Sequence, residues 1–493
     1  MEPRMVRTTT GLVRGKSENG LAVFRGIPFA QAPVGKLRFQ APVPYSPWNG
    51  VRDADSFGPP PPQASTNSTT SSGDEWLSVN VWSPDVKAAR LPVLVWIYGG
   101  AFIIGSSSEP IYNGATLASH GAVVVSFNYR VSMEGFGRIE GAPTNRGLLD
   151  QIAALRWVGD NIAAFGGNPE NITLFGQSAG AGSIAMLLAA PSARGLFHRA
   201  IAQSVPTALQ SPELATDIAT VVANQVDKHP TVAELTSIDP WTLARAAKTV
   251  SDNIPQHQDR WSFGLVVAGT PFGPVIDPES LPESPWQALA RGASRDIALI
   301  VGHTRDEYNL MITASGGADT ITAAHTEQAL SLLPPIPDGP RAYRAAYQHA
   351  SDEQLYQIAC SDFLFRMPSL HLAQAHATGG GATYLYEFRY ETKTMGAAHT
   401  AELPLLFGTL DTAAGERLYG NPPPQTAVAL AEQIQTEWLS FAETGDPEWP
   451  TYTSDSQQAR RFDTTSTTGR YPEQESQQIW AAATFDPLPL RQR

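Results

Sequence analysis

The stretch Asn171-Ile172-Thr173-Leu174-Phe175-Gly176-Gln177-Ser178-Ala179-Gly180-Ala181-Gly182 constrains this chain most, because an apolar strand pattern runs through a glycine-flanked serine into a helix. That is the pattern of a nucleophile elbow. A serine hydroxyl is a poor nucleophile unless it stands clear of neighbouring side chains and within reach of a base. Gly176 and Gly180 supply the clearance. A bare G-x-S-x-G arises by chance in roughly a fifth of chains this long, so the surrounding pattern has to carry the weight. Here a β-type run precedes it and the amphipathic run Ser183 to Leu188 follows, as the motif requires.

The neighbouring segments make a sheet for that elbow. Pro92-Val93-Leu94-Val95-Trp96-Ile97-Tyr98 is too continuously apolar for an edge and reads as a central strand buried on both faces. It leads into Gly99-Gly100-Ala101-Phe102, where successive glycines let the backbone turn and aim N–H groups at a ligand oxygen. A third strand at 122–128 precedes a helix expected over 147–165, and then comes the elbow. Strand and helix in this rhythm predict an α/β fold with right-handed crossovers, a mostly parallel sheet and helices on both faces. In such sheets sites form at the carboxyl ends of strands.

Around this centre, Asn19-Gly20 joins two short strands into a hairpin at a small antiparallel N-terminal edge. Residues 33–48 form a proline-rich irregular wrap, and 59–73, four prolines followed mostly by Ser and Thr, form a loop expected to be mobile. A helical insertion over the site is expected at about 206–270. Extended structure restarts at 272–277, a core strand follows at 297–302, and a second mainly helical region spans about 320–378. A late strand at 383–388 and a closing amphipathic helix at 427–444 complete one catalytic domain over 1–493.

Composition excludes several classes. Apolar residues at 42% with 16% charged describe a folded globule, and a net charge of −13 argues against nucleic acid or an anionic membrane as partner. The single cysteine, Cys360, rules out an intrachain disulfide and reads as a packed thiol. The opening seven residues have no apolar h-region and no run of eighteen apolar residues occurs, so neither signal peptide nor membrane span is expected and the location expected is cytoplasmic. With no H-E-x-x-H or paired C-x-x-C, no metal and no cofactor are expected.

A base and its orienting acid should follow the serine in the chain. With ten histidines, only placement discriminates. His399 lies in the loop after the late strand, within Gly396-Ala397-Ala398-His399-Thr400-Ala401-Glu402-Leu403-Pro404, whereas His349, His371 and His376 sit in helical patterns. His303 reads as a surface loop residue. Asp306 and Glu307 both follow the core strand, and spacing alone does not separate them: one should face the site and the other solvent.

Taken in order, Phe24-Arg25-Gly26-Ile27-Pro28-Phe29-Ala30, Leu77-Ser78-Val79-Asn80-Val81-Trp82, Asn128-Tyr129-Arg130, Phe165-Gly166-Gly167-Asn168-Pro169, Phe197-His198-Arg199-Ala200-Ile201-Ala202-Gln203-Ser204 and Phe441-Ala442-Glu443-Thr444-Gly445-Asp446-Pro447 match family blocks. Nearly the whole chain thus resembles the type-B carboxylesterases, the cholinesterase-like branch of the α/β-hydrolases, in their bacterial para-nitrobenzyl-esterase form. The resemblance implies a Ser178–Glu307–His399 triad, selecting Glu307 over Asp306, and an oxyanion hole from the amides of Gly99, Gly100 and Ala179. It implies a serine esterase that forms an acyl-enzyme on small to medium, mostly apolar neutral esters, with water as second substrate. Carbamates, amides, lactones or acyl transfer are the alternative for the same triad, and a non-catalytic binding module is a further one.

The departures matter too. Tyr98-Gly99-Gly100-Ala101-Phe102 replaces the family's His-Gly-Gly-Gly before phenylalanine, and Gln177 stands where a glutamate is common. Loss of that charge disfavours cationic substrates. Phe102 and Gln177 are the expected pocket residues.

Overall fold

The structure, a computed structural model, describes residues 4–64 and 73–491. Residues 65–72, the Ser/Thr-rich part of the 59–73 stretch, lie outside them. Just before this gap Gln63 is tied down, its Oε1 accepting from Gly105 N at 2.8 Å and its Nε2 donating to Gly105 O at 2.9 Å.

Thirteen strands among the described residues form one sheet. They are β1 (Arg4–Arg7), β2 (Leu12–Glu18), β3 (Leu21–Pro28), β4 (Val51–Asp53), β5 (Ser78–Ser83), β6 (Leu91–Ile97), β7 (Val123–Phe127), β8 (Gly167–Gln177), β9 (Arg199–Gln203), β10 (Ala298–Thr304), β11 (Thr383–Phe388), β12 (Gln458–Phe462) and β13 (Thr467–Arg470). Their spatial order is β1-β2-β3-β5-β7-β6-β8-β9-β10-β11-β12-β13, with β4 beside β2. From β7 to β12 every pairing is parallel. The fold is that of the α/β-hydrolases, a mostly parallel sheet with an antiparallel N-terminal edge that includes the Asn19-Gly20 hairpin.

Local chemistry accounts for the centre. The residues of β7 are all buried, as a β-branched run covered on both faces should be. The helix Arg146–Asn161 crosses back to the sheet and continues as a 3₁₀ turn, Ile162–Phe165, ended by Gly166 at φ 90°. Its Asp150, fully buried, receives Arg130 Nε at 2.8 Å and Nη2 at 2.7 Å. This pair fixes the segment after β7 to the crossover helix.

Several expectations need correction. The helix after the serine, Ala179–Ala189, is not amphipathic but buried at every residue, because it lies behind the strands at the sheet's centre. Residues 272–277 form no strand, only isolated bridges such as Gln210 with Val275, since Pro271 and Pro274 lack the N–H that a ladder needs. The helix Gln425–Thr444 does not close the chain: β12, β13 and the helix Gln474–Ile479 follow, adding a second antiparallel pair at the far edge. The 206–270 region does carry helices, Pro212–Asn224, Pro240–Asp252 and Phe263–Ala268 among them.

Removing one member of a buried ion pair leaves the other charged and unpaired, at a cost of about 3–5 kcal/mol. Asp150→Ala should therefore lower the urea midpoint by a corresponding amount with the slope of the transition unchanged. An unchanged midpoint would show the pair to be dispensable.

Candidate active site

Ser178 follows β8 at φ 59°, ψ −127°, a region that a non-glycine residue occupies only when its surroundings enforce it. The enforcement is visible in the glycines. A Cβ on Gly180 would run into the carbonyl of Ile97 at the end of β6, and one on Gly176 would stand 2.8 Å from the same oxygen. Helix and strand therefore approach backbone to backbone, and the serine takes the tight corner. Its own N–H donates to Gln203 O at 2.9 Å, tying the corner to β9.

Gly99 follows β6 and abuts the serine: a Cβ there would lie 2.8 Å from Gln177 O and 3.0 Å from Ser178 Cβ. Gly100 has φ 120°, which only glycine adopts without strain. Among the described residues the N–H groups of Gly99, Gly100 and Ala179 have no acceptor, which is uncommon for backbone donors next to a packed core. The same holds for Ala101, held at φ 54°, a donor that attention to the two glycines alone passes over. Phe102 is buried, with its ring edge-on to Phe136 at 4.8 Å.

Glu307, fully buried beyond β10, reaches His399 Nδ1 with Oε2 at 2.5 Å. Its other oxygen accepts from Ser204 Oγ at 2.6 Å and Thr304 N at 2.8 Å. Burial pushes this carboxyl up, but His399 and the two further donors outweigh it and hold the carboxyl below its ordinary value. The neighbour Asp306 points the other way, to Arg305 at 2.7 Å and to Ala397 N at 2.9 Å. So the structure separates the two acids that spacing could not, and gives Asp306 the task of anchoring the loop that carries His399.

Around the imidazole, Phe365 stacks at a centroid distance of 4.1 Å and 22° between planes, and Gln177 Nε2 lies 3.0 Å from Nε2 and 3.3 Å from Nδ1. Among the described residues no hydrogen bond joins Ser178 to His399. Sequence reading gave Ser204, Phe365 and Glu402 no role at the site: Glu402 lies in the His399 loop, whereas Ser204 and Phe365 lie on separate segments that only folding brings here. Glu402 is fully buried and accepts from Gln203 Nε2 at 3.2 Å. His303 is a correction: it sits in β10, wholly buried, with Nε2 2.8 Å from Tyr471 Oη, and burial together with the Arg366 charge pushes its pKa down to about 4.

Residues 2–480 match the family described as the Carboxylesterase family. The chain belongs to it. It is a carboxylic ester hydrolase. It is 36% identical to the para-nitrobenzyl esterase of Bacillus subtilis over 97% of this chain and 98% of that protein, and 34% identical to the phenmedipham hydrolase of Pseudarthrobacter oxydans over 92% and 93%. Among solved structures, a Geobacillus stearothermophilus carboxylesterase superposes with a TM-score of 0.86 at 36% identity, covering 97% of this chain and 99% of that one. A PNB esterase structure gives 0.85 at 34% identity with the same coverage. No helix among the described residues of this carboxylesterase is long and apolar enough to cross a membrane.

Glu402 supplies a pH test. Burial, reinforced by the Glu307 charge, raises it from 4.5 to about 8. Across that window the folded chain keeps a proton that the unfolded chain has released, so this residue's contribution to stability falls as pH rises through it. Glu402→Gln should flatten this part of the melting-temperature profile; a profile that keeps its slope would mean another group produces it.

Proposed function

We propose that this carboxylesterase acts through a Ser178–His399–Glu307 triad and an acyl-enzyme. The observation that carries the proposal is the buried 2.5 Å pairing of Glu307 with His399 Nδ1, which leaves Nε2 as the base for a serine held on a strained elbow. His399 takes the proton as Ser178 attacks the carbonyl, and Glu307 keeps the tautomer and stabilises the cation. The proposed donors to the oxyanion are the amides of Gly99, Gly100, Ala101 and Ala179, which have no acceptor among the described residues. His399 returns the proton to the leaving alcohol, and water repeats the sequence to release the acid. This proton transfer requires Ser178 and His399 Nε2 within hydrogen-bond reach in the reactive complex.

The substrates proposed are small to medium, mostly apolar neutral esters. With Gln177 uncharged beside the histidine, nothing there recommends a cationic alcohol. Carbamates and amides are the second substrate class proposed for the same triad, because the acylation machinery is common and the pocket selects; one relative is named phenmedipham hydrolase. A cytoplasmic location and a single catalytic unit over 1–493 belong to the same proposal.

Ser178→Ala should lower turnover of para-nitrophenyl esters by about 10⁶, as when one member of a unit is removed. A loss smaller than roughly tenfold would exclude Ser178 as nucleophile. A fluorophosphonate should label Ser178 and no other residue, and mass spectrometry finding the adduct elsewhere would overturn the assignment.

A further inference from the structure

The geometry around His399 points to a grip on the imidazole: we propose that Phe365 and Gln177 close on its two faces and hold the ring's orientation, acting as positioning residues. This rests on His399 being the base.

A hydrogen bond to Glu307 fixes one point of the ring, and a single point is a pivot. Rotation about it would carry Nε2 away from the serine. Two contacts oppose that rotation. The Phe365 ring lies nearly parallel to the imidazole at 4.1 Å and 22°, covering one face. The Gln177 side-chain nitrogen is 3.0 Å and 3.3 Å from the two ring nitrogens. One atom this near to both cannot lie in the ring plane without running into the carbon between them, so it lies over the ring. It cannot share the face that Phe365 occupies. It therefore covers the other, where an N–H meets the π cloud rather than the in-plane lone pair of Nε2. That lone pair stays available to Ser178.

Both contacts are held from behind. Phe365 stands on a single turn of π-helix, Asp362–Arg366, a wide turn of the kind that concentrates at functional sites. Its carbonyls are occupied: Leu364 O accepts from Thr207 N at 2.9 Å and Phe363 O from Thr207 Oγ1 at 2.7 Å. Arg366 Nε forms an ion pair with Asp362 across the turn at 3.1 Å. Gln177 precedes the nucleophile in the chain, so one side of the grip and the serine share a rigid segment. A phenyl face also attracts the imidazolium that forms during proton transfer, which an aliphatic side chain would not do.

The test is steady-state kinetics on para-nitrophenyl esters from acetyl to octanoyl. Phe365→Leu should lower kcat on the order of 10–100-fold, the scale of a misplaced catalytic group, with KM unchanged and the same loss at every chain length. Phe365→Tyr should restore kcat. Gln177→Ala should lower kcat in the same way, while Gln177→Met, which still covers the face, should not. If Phe365→Leu does not fold, the two Gln177 variants decide alone. The grip is overturned if kcat stays at the parent level in Phe365→Leu or Gln177→Ala, if Tyr or Met fails to rescue, or if the loss appears in KM or grows with acyl length, as it would for a pocket wall. His399→Ala separates the two ideas: retained activity there sinks the base assignment, whereas a dead His399→Ala beside a fully active Phe365→Leu sinks only the grip.

Discussion

The site depends on one close approach, where the end of β6 meets the first turn of the helix after Ser178 with no room for a side chain between them. Ile97 O fills the place that a Cβ on Gly180 would need, and Ser178 Cβ stands 3.0 Å from the place that one on Gly99 would need. Close contact at both points pushes Ser178 into its strained corner, and among the described residues the surrounding amides have no acceptors. Strain and unpaired donors of this kind persist only when the rest of the fold overdetermines them. Here the buried strands β6, β7 and β8 and the wholly buried helix Ala179–Ala189 do so.

The histidine is placed by a different device. Its loop has no regular structure, so its position comes from side chains that reach it from β9, β10 and the π turn. Asp306 holds Ala397 N, Glu307 holds the imidazole and Phe365 covers it. Gln203 links both halves: its carbonyl accepts from Ser178 N and its amide donates to Glu402, three residues beyond His399. Ser178 and the His399 loop are thereby referenced to the same strand.

What could be read from the sequence was whatever depends on near neighbours. Two glycines flanking a serine, an apolar run before them and an asparagine–glycine turn each act within a few residues, and each matches the structure. Where a choice depended on the surroundings, the sequence left it open or misled. His303 read as a loop residue because Thr304-Arg305-Asp306-Glu307 after it is polar, yet β10 extends through Thr304 and Tyr471 arrives from far along the chain to satisfy its ring. Asp306 and Glu307 are adjacent and chemically alike, so only the directions of their side chains distinguish them. The run from Ser183 to Leu188 opens on a polar residue and reads as amphipathic, but Ser183 Oγ accepts from Gln151 Nε2 at 2.9 Å in the interior.

The sequence by itself determined the α/β architecture, the elbow and the family's ordered blocks, because hydrophobic period and glycine placement are local properties that tertiary packing has little power to reverse. Only the tertiary structure decided which acid faces the imidazole, which amides remain without acceptors and what covers the ring of His399. Those are matters of direction and distance between segments well separated along the chain, as Glu307 and His399 are. No spacing along the chain encodes them, since they arise when separate strand ends are brought to one edge of a sheet.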